Sequence, residues 1–269
     1  MNPTRLAGKN IVITGAAQGM GAANAVYFAA QGANVVVGDL NFEGVQGVAD
    51  KINALGNGKA VAVKMDVTKR ADHTAAVKAC VDNFGSLNVY LNNAGVNKPK
   101  MFMDIDEENW DFIMNVNAKG MLFGMQEAAR QMIEQGPMED HPYKIINVGS
   151  ILSRAAFDDV IPYSCSKHAT LAMITGGAKA LWQHKITVNG YGPGVVATEL
   201  WKQLDKDLVA IGKFEKEGES MDTLAETMIL MKKLSTPDDV VGTAAFLASD
   251  ESDYMTGQLI MIDGGIVMQ

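Results

Sequence analysis

Cysteine is almost missing from this chain: only Cys80 and Cys165 occur among 269 residues. Neither stands at zinc-ligand spacing from the other or from the four His, so no disulfide framework is expected and no metal ligand is assigned. Such usage fits a reducing, cytoplasmic compartment. Positive charge is scarce as well. With 23 Lys and Arg against 31 Asp and Glu, the formal net charge is −8, and no basic stripe offers itself to nucleic acid. No apolar run reaches the ~18–20 residues of a membrane-crossing helix, and the opening MNPTRLAGK lacks the apolar stretch of a secretory signal. A Gly-x-x-x-x-Gly-Lys-Ser/Thr sequence is absent, so ATP is not the phosphate ligand implied. Linkers, repeats and low-complexity tracts are missing too, and residues 1–269 read as one domain. These absences leave a globular protein whose expected partner is a small molecule.

What is present is a rhythm. Short apolar runs alternate with helical patterns: NIVITG (10–15), ANVVVGD (33–39), KAVAVKMD (59–66), LNVYLNNAG (87–95), YKIINVGS (143–150), KITVNGYG (185–192) and GQLIMIDGG (257–265) read as strands. Helices are expected between them, among them 42–55 and 70–84. Strands separated by helices imply parallel pairing through crossovers, hence an α/β, doubly wound sheet of about seven strands. The strands lack polar alternation, as expected when helices cover both faces. Residues 199–232 break the rhythm with Lys, Asp, Glu and Met, and form a candidate lid.

The first strand runs straight into TGAAQGMG, Thr14 to Gly21. Gly15, Gly19 and Gly21 permit a tight turn that lets backbone N–H groups approach a pyrophosphate at a helix N-terminus. Asp39 closes the second strand, eighteen residues past Gly21. A carboxylate there accepts hydrogen bonds from the ribose hydroxyls of an adenosine and repels a 2′-phosphate, which favours NAD over NADP. Gln18 occupies a place where a base could have met that phosphate. A glycine cluster by itself can serve only to pack a helix on a strand.

Further along come NNAG (92–95), YSCSK (163–167) with Ser150 thirteen residues before its Tyr, and PGVVAT (193–198). In this order, together with the TGxxxGxG turn, they resemble the short-chain dehydrogenase/reductase family over essentially the whole chain. The resemblance implies a Rossmann fold and an NAD-dependent oxidoreductase. It implies adenine contacts from Asp66 and Val67, and a strand-four segment in which Asn92 and Ala94, with Asn93 and Gly95, stabilise the sheet and line the ribose. Met20 and Leu40 join the cofactor set beside the glycine turn and Asp39. Pro193, Gly194, Val196 and Thr198 match residues that hold the nicotinamide carboxamide. Asn117 matches the helix asparagine of the catalytic tetrad, with Asn115 as a nearby alternative. A homotetramer, joined through helices around 110–135 and 161–183 and the C-terminal strand, is implied in the same way.

On a helix Tyr163 and Lys167, at i and i+4, share a face. A free phenol titrates near ~10, too high for an efficient base, and a neighbouring ammonium is expected to lower it. Ser150 ends a strand at the carboxyl edge and can hold the substrate oxygen as alkoxide character builds. Asn117 would position a water that links Lys167 to solvent. Ser153, Ser164 and Ser166 read as structural, His168 as off the reactive face, Cys165 as inert, and Trp110 and Trp182 as core or interface packing. After Ser150, Ile151, Leu152, Ala156 and Phe157 suggest an apolar wall broken by Ser153 and Arg154. Leu200, Trp201 and Leu204 could face it from the lid. The lid and the ending resemble enzymes of vicinal diols and polyols, while the wall would also suit a bulkier secondary alcohol such as a hydroxysteroid or an aryl alcohol. A non-catalytic NAD-binding regulator is the reading from another class, opposed by the presence of Ser150, Tyr163, Lys167 and Asn117 together.

Overall fold

In the computed structural model, which describes residues 4–268, all seven strands join one parallel sheet. The chain lays down β1 (Asn10–Thr14), α1 (Gly19–Ala30), β2 (Asn34–Asp39), α2 (Phe42–Leu55), β3 (Ala60–Lys64), α3 (Arg70–Phe84) and β4 (Val89–Asn92). Next come α4 (Glu107–Met114), α5 (Met121–Glu134), β5 (Tyr143–Val148), α6 (Ile161–Leu181) and β6 (Ile186–Pro193). The chain closes with α7 (Glu199–Ala210), α8 (Glu219–Thr227), α9 (Pro237–Ala248) and β7 (Leu259–Ile262). The strand order β3-β2-β1-β4-β5-β6-β7 reverses direction between β1 and β4. In such a sheet that switch point, at the carboxyl ends, opens the crevice where ligands bind.

Period-two alternation sends successive residues of a strand to opposite faces. Ile11 and Ile13 of β1 pack with Ala25, Phe28, Val45, Ile52 and Val240, so α1, α2 and α9 cover one face. Val12 joins Ala76, Cys80, Tyr90, Met125 and Ala178, so α3, α5 and α6 cover the other. Both faces are dry, which is why the strands carry continuous apolar runs. A third, smaller cluster sits beyond the carboxyl edge, where Leu204 and Leu208 of α7 meet Ile151, Leu152 and Val160.

The expected helices 42–55 and 70–84 coincide with α2 and α3. Asn41 starts α2 by accepting a hydrogen bond from Gly44 N at 3.0 Å. The helical region after residue 106 departs from expectation, because a π-helical segment, Asn115–Gly120, separates α4 from α5. Trp110 and Trp182 are 40% and 53% exposed on the single chain, which removes them from the core. Among the described residues no helix is long and apolar enough to cross a membrane.

Candidate active site

Three sheet-edge loops and the start of α6 converge on one cavity of about 310 Å³. The glycine turn after β1 borders it through Met20. Gly15 adopts φ +66°, and a Cβ on Gly21 would stand 2.1 Å from Gly15 O and 2.6 Å from Asn93 Nδ2. Only a bare backbone fits there. Asn93 ties the turn to β4, donating from Nδ2 to Thr14 O and Gly15 O at 3.0 Å each. The Thr14 hydroxyl receives the N–H groups of Asn93 and Ala94, both at 3.1 Å. The first turn of α1 carries no side-chain cap, since Gln18 makes no capping hydrogen bond. Its first N–H groups are therefore left for a ligand or solvent.

Asp39 stands at the end of β2. Its carboxylate accepts from Ala17 N at 3.2 Å and Asn41 N at 3.0 Å, fixing the glycine turn against the next loop. Leu40 is exposed beside it. Asp66 accepts from Thr68 Oγ1 at 2.7 Å and Thr68 N at 3.0 Å, and the Thr68 hydroxyl holds its carboxyl below the usual range. The carbonyl of Val67 accepts from His73 Nε2 at 2.9 Å, and the other His73 nitrogen meets Tyr90 OH at 2.8 Å. The residues thus fit a dinucleotide: a backbone cradle that a Cβ would fill, an uncapped helix start, a carboxylate at the end of the neighbouring strand, and an Asn93 Oδ1 buried without a partner.

Ser150, Tyr163 and Lys167 line the cavity together with Met20, Asn93 and Gly95. Ser150 N donates to Ser153 Oγ at 3.2 Å, and Ser150 Oγ accepts from Leu152 N at 3.2 Å. Ser153 is therefore the brace of Ser150 and does not break the pocket wall. Arg154 does not break it either, because its guanidinium donates to Leu259 O at 3.2 Å. Lys167 is buried; its Nζ lies 5.5 Å from the Tyr163 ring centroid and donates to Val148 O at 2.8 Å. The expectation that the ammonium lowers the phenol is reversed in the chain alone. Burial dominates and pushes Tyr163 up to about 12, offset in part by the Ser150 hydroxyl. The same burial pushes Lys167 down to about 8.

Asn117 is buried on the π-helical segment, while Asn115 is partly exposed. A Cβ on Gly95 would lie 3.5 Å from Asn117 Oδ1 and 3.9 Å from Lys167 Nζ, so the two side chains flank Gly95. Asn117 spends its amide inside the protein. Oδ1 accepts from Val96 N at 2.8 Å, and Nδ2 donates to Val96 O at 2.8 Å and Ser166 Oγ at 3.1 Å. Ser166 in turn donates to Tyr163 O at 2.7 Å. Sequence reasoning set Ser153 and Ser166 aside as structural; a clue lay in their places, three residues after Ser150 and one before Lys167. His168 is exposed and bonds Ser164 O through Nδ1 at 2.9 Å, and Cys165 is exposed.

Pro193, Gly194, Val196 and Thr198 form the opposite wall. Thr198 caps α7 by accepting from Trp201 N at 3.5 Å. Apolar side chains make up much of the rest: Leu152 and Phe157 come from the loop before α6, and Leu200, Trp201 and Leu204 from α7. Ala156 does not line the cavity. Such a site can bind a dinucleotide and a mostly apolar alcohol or ketone, with one phenol, one hydroxyl and one ammonium at the meeting point.

The family model described as short chain dehydrogenase matches residues 9–209. The chain is 37% identical over 259 residues to the diacetyl reductase [(S)-acetoin forming] of Staphylococcus epidermidis, covering 96% of this chain and 98% of that protein. It is 34% identical to the L-2,3-butanediol dehydrogenase of Corynebacterium glutamicum over 260 residues, again 96% and 98%. A crystal structure of a short-chain type dehydrogenase/reductase from Mycobacterium marinum superposes with a TM-score of 0.88 at 30% identity, covering 100% of this chain and 99% of the other.

Proposed function

The chain belongs to the short-chain dehydrogenase family and is an oxidoreductase that interconverts secondary alcohols and ketones; from that premise we propose that it uses NAD and that Tyr163 is its general acid/base. The observation that carries the reading is the convergence of Ser150, Tyr163 and Lys167 on one cavity beside the glycine turn. When bound, the dinucleotide supplies the hydride acceptor or donor. Asp39 receives the ribose hydroxyls and disfavours a 2′-phosphate. Asp66 and Val67 contact the adenine, Gly95 and Asn93 the ribose, and Pro193 to Thr198 the carboxamide end.

Ser150 donates to the substrate oxygen and holds it against Tyr163. In oxidation the phenol must first be a phenolate, which a pKa of about 12 opposes; a cation arriving beside it favours the ionised form. The phenolate then takes the hydroxyl proton, and in reduction the phenol returns it. Lys167 stabilises the phenolate, and Asn117, held by Val96 and Ser166, keeps the helix turn in register behind Lys167. Residues 199–232 act as a lid whose apolar face closes over the substrate. Kinship with the two relatives supports a small neutral diol or hydroxyketone as substrate. The apolar wall supports a second reading, a longer hydrophobic secondary alcohol. Assembly as a homotetramer and a cytoplasmic setting complete the proposal.

The test compares NADH with NADPH in the reduction of diacetyl, acetoin and 2-octanone by the native chain and Tyr163→Phe. The native chain should favour NADH at least about tenfold in kcat/KM. The variant should bind NADH while losing about 10²–10⁴-fold in turnover. Near-native turnover of the variant refutes the acid/base role, and equal use of NADPH refutes the role of Asp39.

A further inference from the structure

The cavity has a charged rim that the chemistry proposed above leaves unused. Asp158 and Asp159, from the loop before α6, line it together with Lys213, from the turn after α7. Lys213 Nζ lies 2.9 Å from Asp158 Oδ1 and 3.6 Å from Asp159 Oδ2. The Asp159 side chain is only 11% exposed, against 71% for Asp158. One ammonium thus serves two carboxylates, and the rim keeps a net negative charge. The hydrogen bond with Asp158 raises the Lys213 pKa, so the ammonium stays charged.

Other cations nearby are committed elsewhere. Lys100 Nζ lies 2.5 Å from Asp106 Oδ2, Arg154 is turned to the carbonyl of Leu259, and Lys167 is buried on Val148 O. An anionic group seated at this rim would lose water against Leu152, Phe157 and Trp201, find the ammonium of Lys213 already shared by two carboxylates, and meet the buried side chain of Asp159. A partly buried carboxylate is screened less by salt than an exposed one, so Asp159 acts more strongly than its neighbour.

We infer that Asp158, Asp159 and Lys213 determine specificity by restricting the pocket to neutral alcohols and ketones, and that Asp159 carries most of the exclusion of carboxylates. The inference rests on the alcohol/ketone reading for the class of ligand and adds to it the charge that the ligand must lack. It also implies that the selection can be inverted. With the acidic pair neutralised, Lys213 becomes a free receptor for a carboxylate at the same place.

The experiment uses 2-octanone and 7-oxooctanoate, which differ by a terminal methyl against a carboxylate. Their Kd values are measured by calorimetry on the full chain, without cofactor and with saturating NAD⁺, a pairing that cannot transfer hydride to a ketone. The native chain should bind 2-octanone at least about tenfold more tightly, and raising salt from about 0.02 M to about 0.5 M should narrow that ratio. Asp158→Asn/Asp159→Asn should shift the ratio at least about fivefold towards the keto acid and reverse its salt dependence, since attraction to Lys213 is now what salt screens. Lys213→Gln should shift the ratio the other way. A ratio near one in the native chain, no binding of 2-octanone, or a salt dependence that keeps its sign in the double variant would overturn the inference. The expected Kd pattern, with neither ketone turned over in a parallel assay with NADH, would leave the charge selection standing while removing the alcohol/ketone reading for this pocket.

Discussion

Two lysines of this chain are almost equally hidden, Lys144 at 2% and Lys167 at 3% exposure, yet their surroundings differ in kind. Lys144 lies in β5, near the amino edge of the sheet. Its Nζ is 2.7 Å from Asp253 Oδ1 and 3.2 Å from Ser252 Oγ. His141 Nδ1 sits 2.6 Å from the other Asp253 oxygen, and Lys9 pairs with Asp250 at 2.5 Å. His141, Asp250 and Asp253 have the donors of a cation site, but the ammonium groups of Lys144 and Lys9 already answer them. Lys167, at the carboxyl edge, has a carbonyl and no carboxylate among the described residues. Burial lowers the pKa of both; Asp253 opposes the fall at Lys144, and nothing opposes it at Lys167. A buried amine with its charge answered holds the fold together. A buried amine left unanswered costs the fold stability and is poised for a partner that arrives later.

Replacing each lysine by Met separates the two. Lys167→Met should lose about 10²–10⁴-fold in kcat while becoming more stable near pH 7 by about 1–3 kcal/mol. The sign follows from the lowered folded-state pKa. Below about 8 both folded and unfolded chains hold the proton and the full cost is present. As pH rises from about 8 towards the ordinary 10.5, the folded chain releases its proton first, and the cost fades. Native stability relative to the variant should therefore rise across that window, measured by denaturant unfolding at several pH values. A constant difference would mean that Lys167 is not the destabilising charge. Lys144→Met should do the reverse. It strands Asp253, which is 27% exposed and keeps His141, so the loss falls to about 1–3 kcal/mol, below that of a fully buried broken pair. Turnover should stay within about threefold; a collapse of turnover without unfolding would break the contrast.

The sequence made these two positions unequally visible. Lys167 stood out because the i, i+4 spacing of YSCSK sets it on one helix face with Tyr163. The glycine turn was legible because Gly21 has 2.1 Å between a would-be Cβ and Gly15 O. Sheet and helices were legible because two dry faces demand apolar strands, and α2 and α3 fall where periodicity places them. The π-helical segment was hidden, because its ladder shift answers to tertiary contacts such as Gly120 against Val67, where a Cβ would stand 2.9 Å from the carbonyl. The rim trio was hidden by distance along the chain, with Asp158 and Lys213 brought together only where the turn after α7 meets the loop before α6. The direction of the Tyr163 shift was misjudged for a physical reason: spacing reveals the neighbouring charge but not the depth of burial that outweighs it.

The smallest expected effect makes the sharpest version of the contrast, because it compares one residue type on one helix. Ser164 and Ser166 are both buried on α6. Ser164 Oγ donates to Val160 O at 3.0 Å, a bond within the helix start that touches nothing reactive. Ser166 Oγ donates to Tyr163 O and accepts from Asn117 Nδ2, so it connects the turn bearing the phenol to the asparagine that flanks Lys167. Either change to Ala should cost about 1 kcal/mol of stability through a lost hydrogen bond. Only Ser166→Ala should also lower kcat, by less than about tenfold, since it loosens the placement of Tyr163 and Lys167 without removing a reacting group. If both variants lose stability alike and both keep native kcat, Ser166 is packing, and the register of the helix turn is held by Asn117 and Val96 alone.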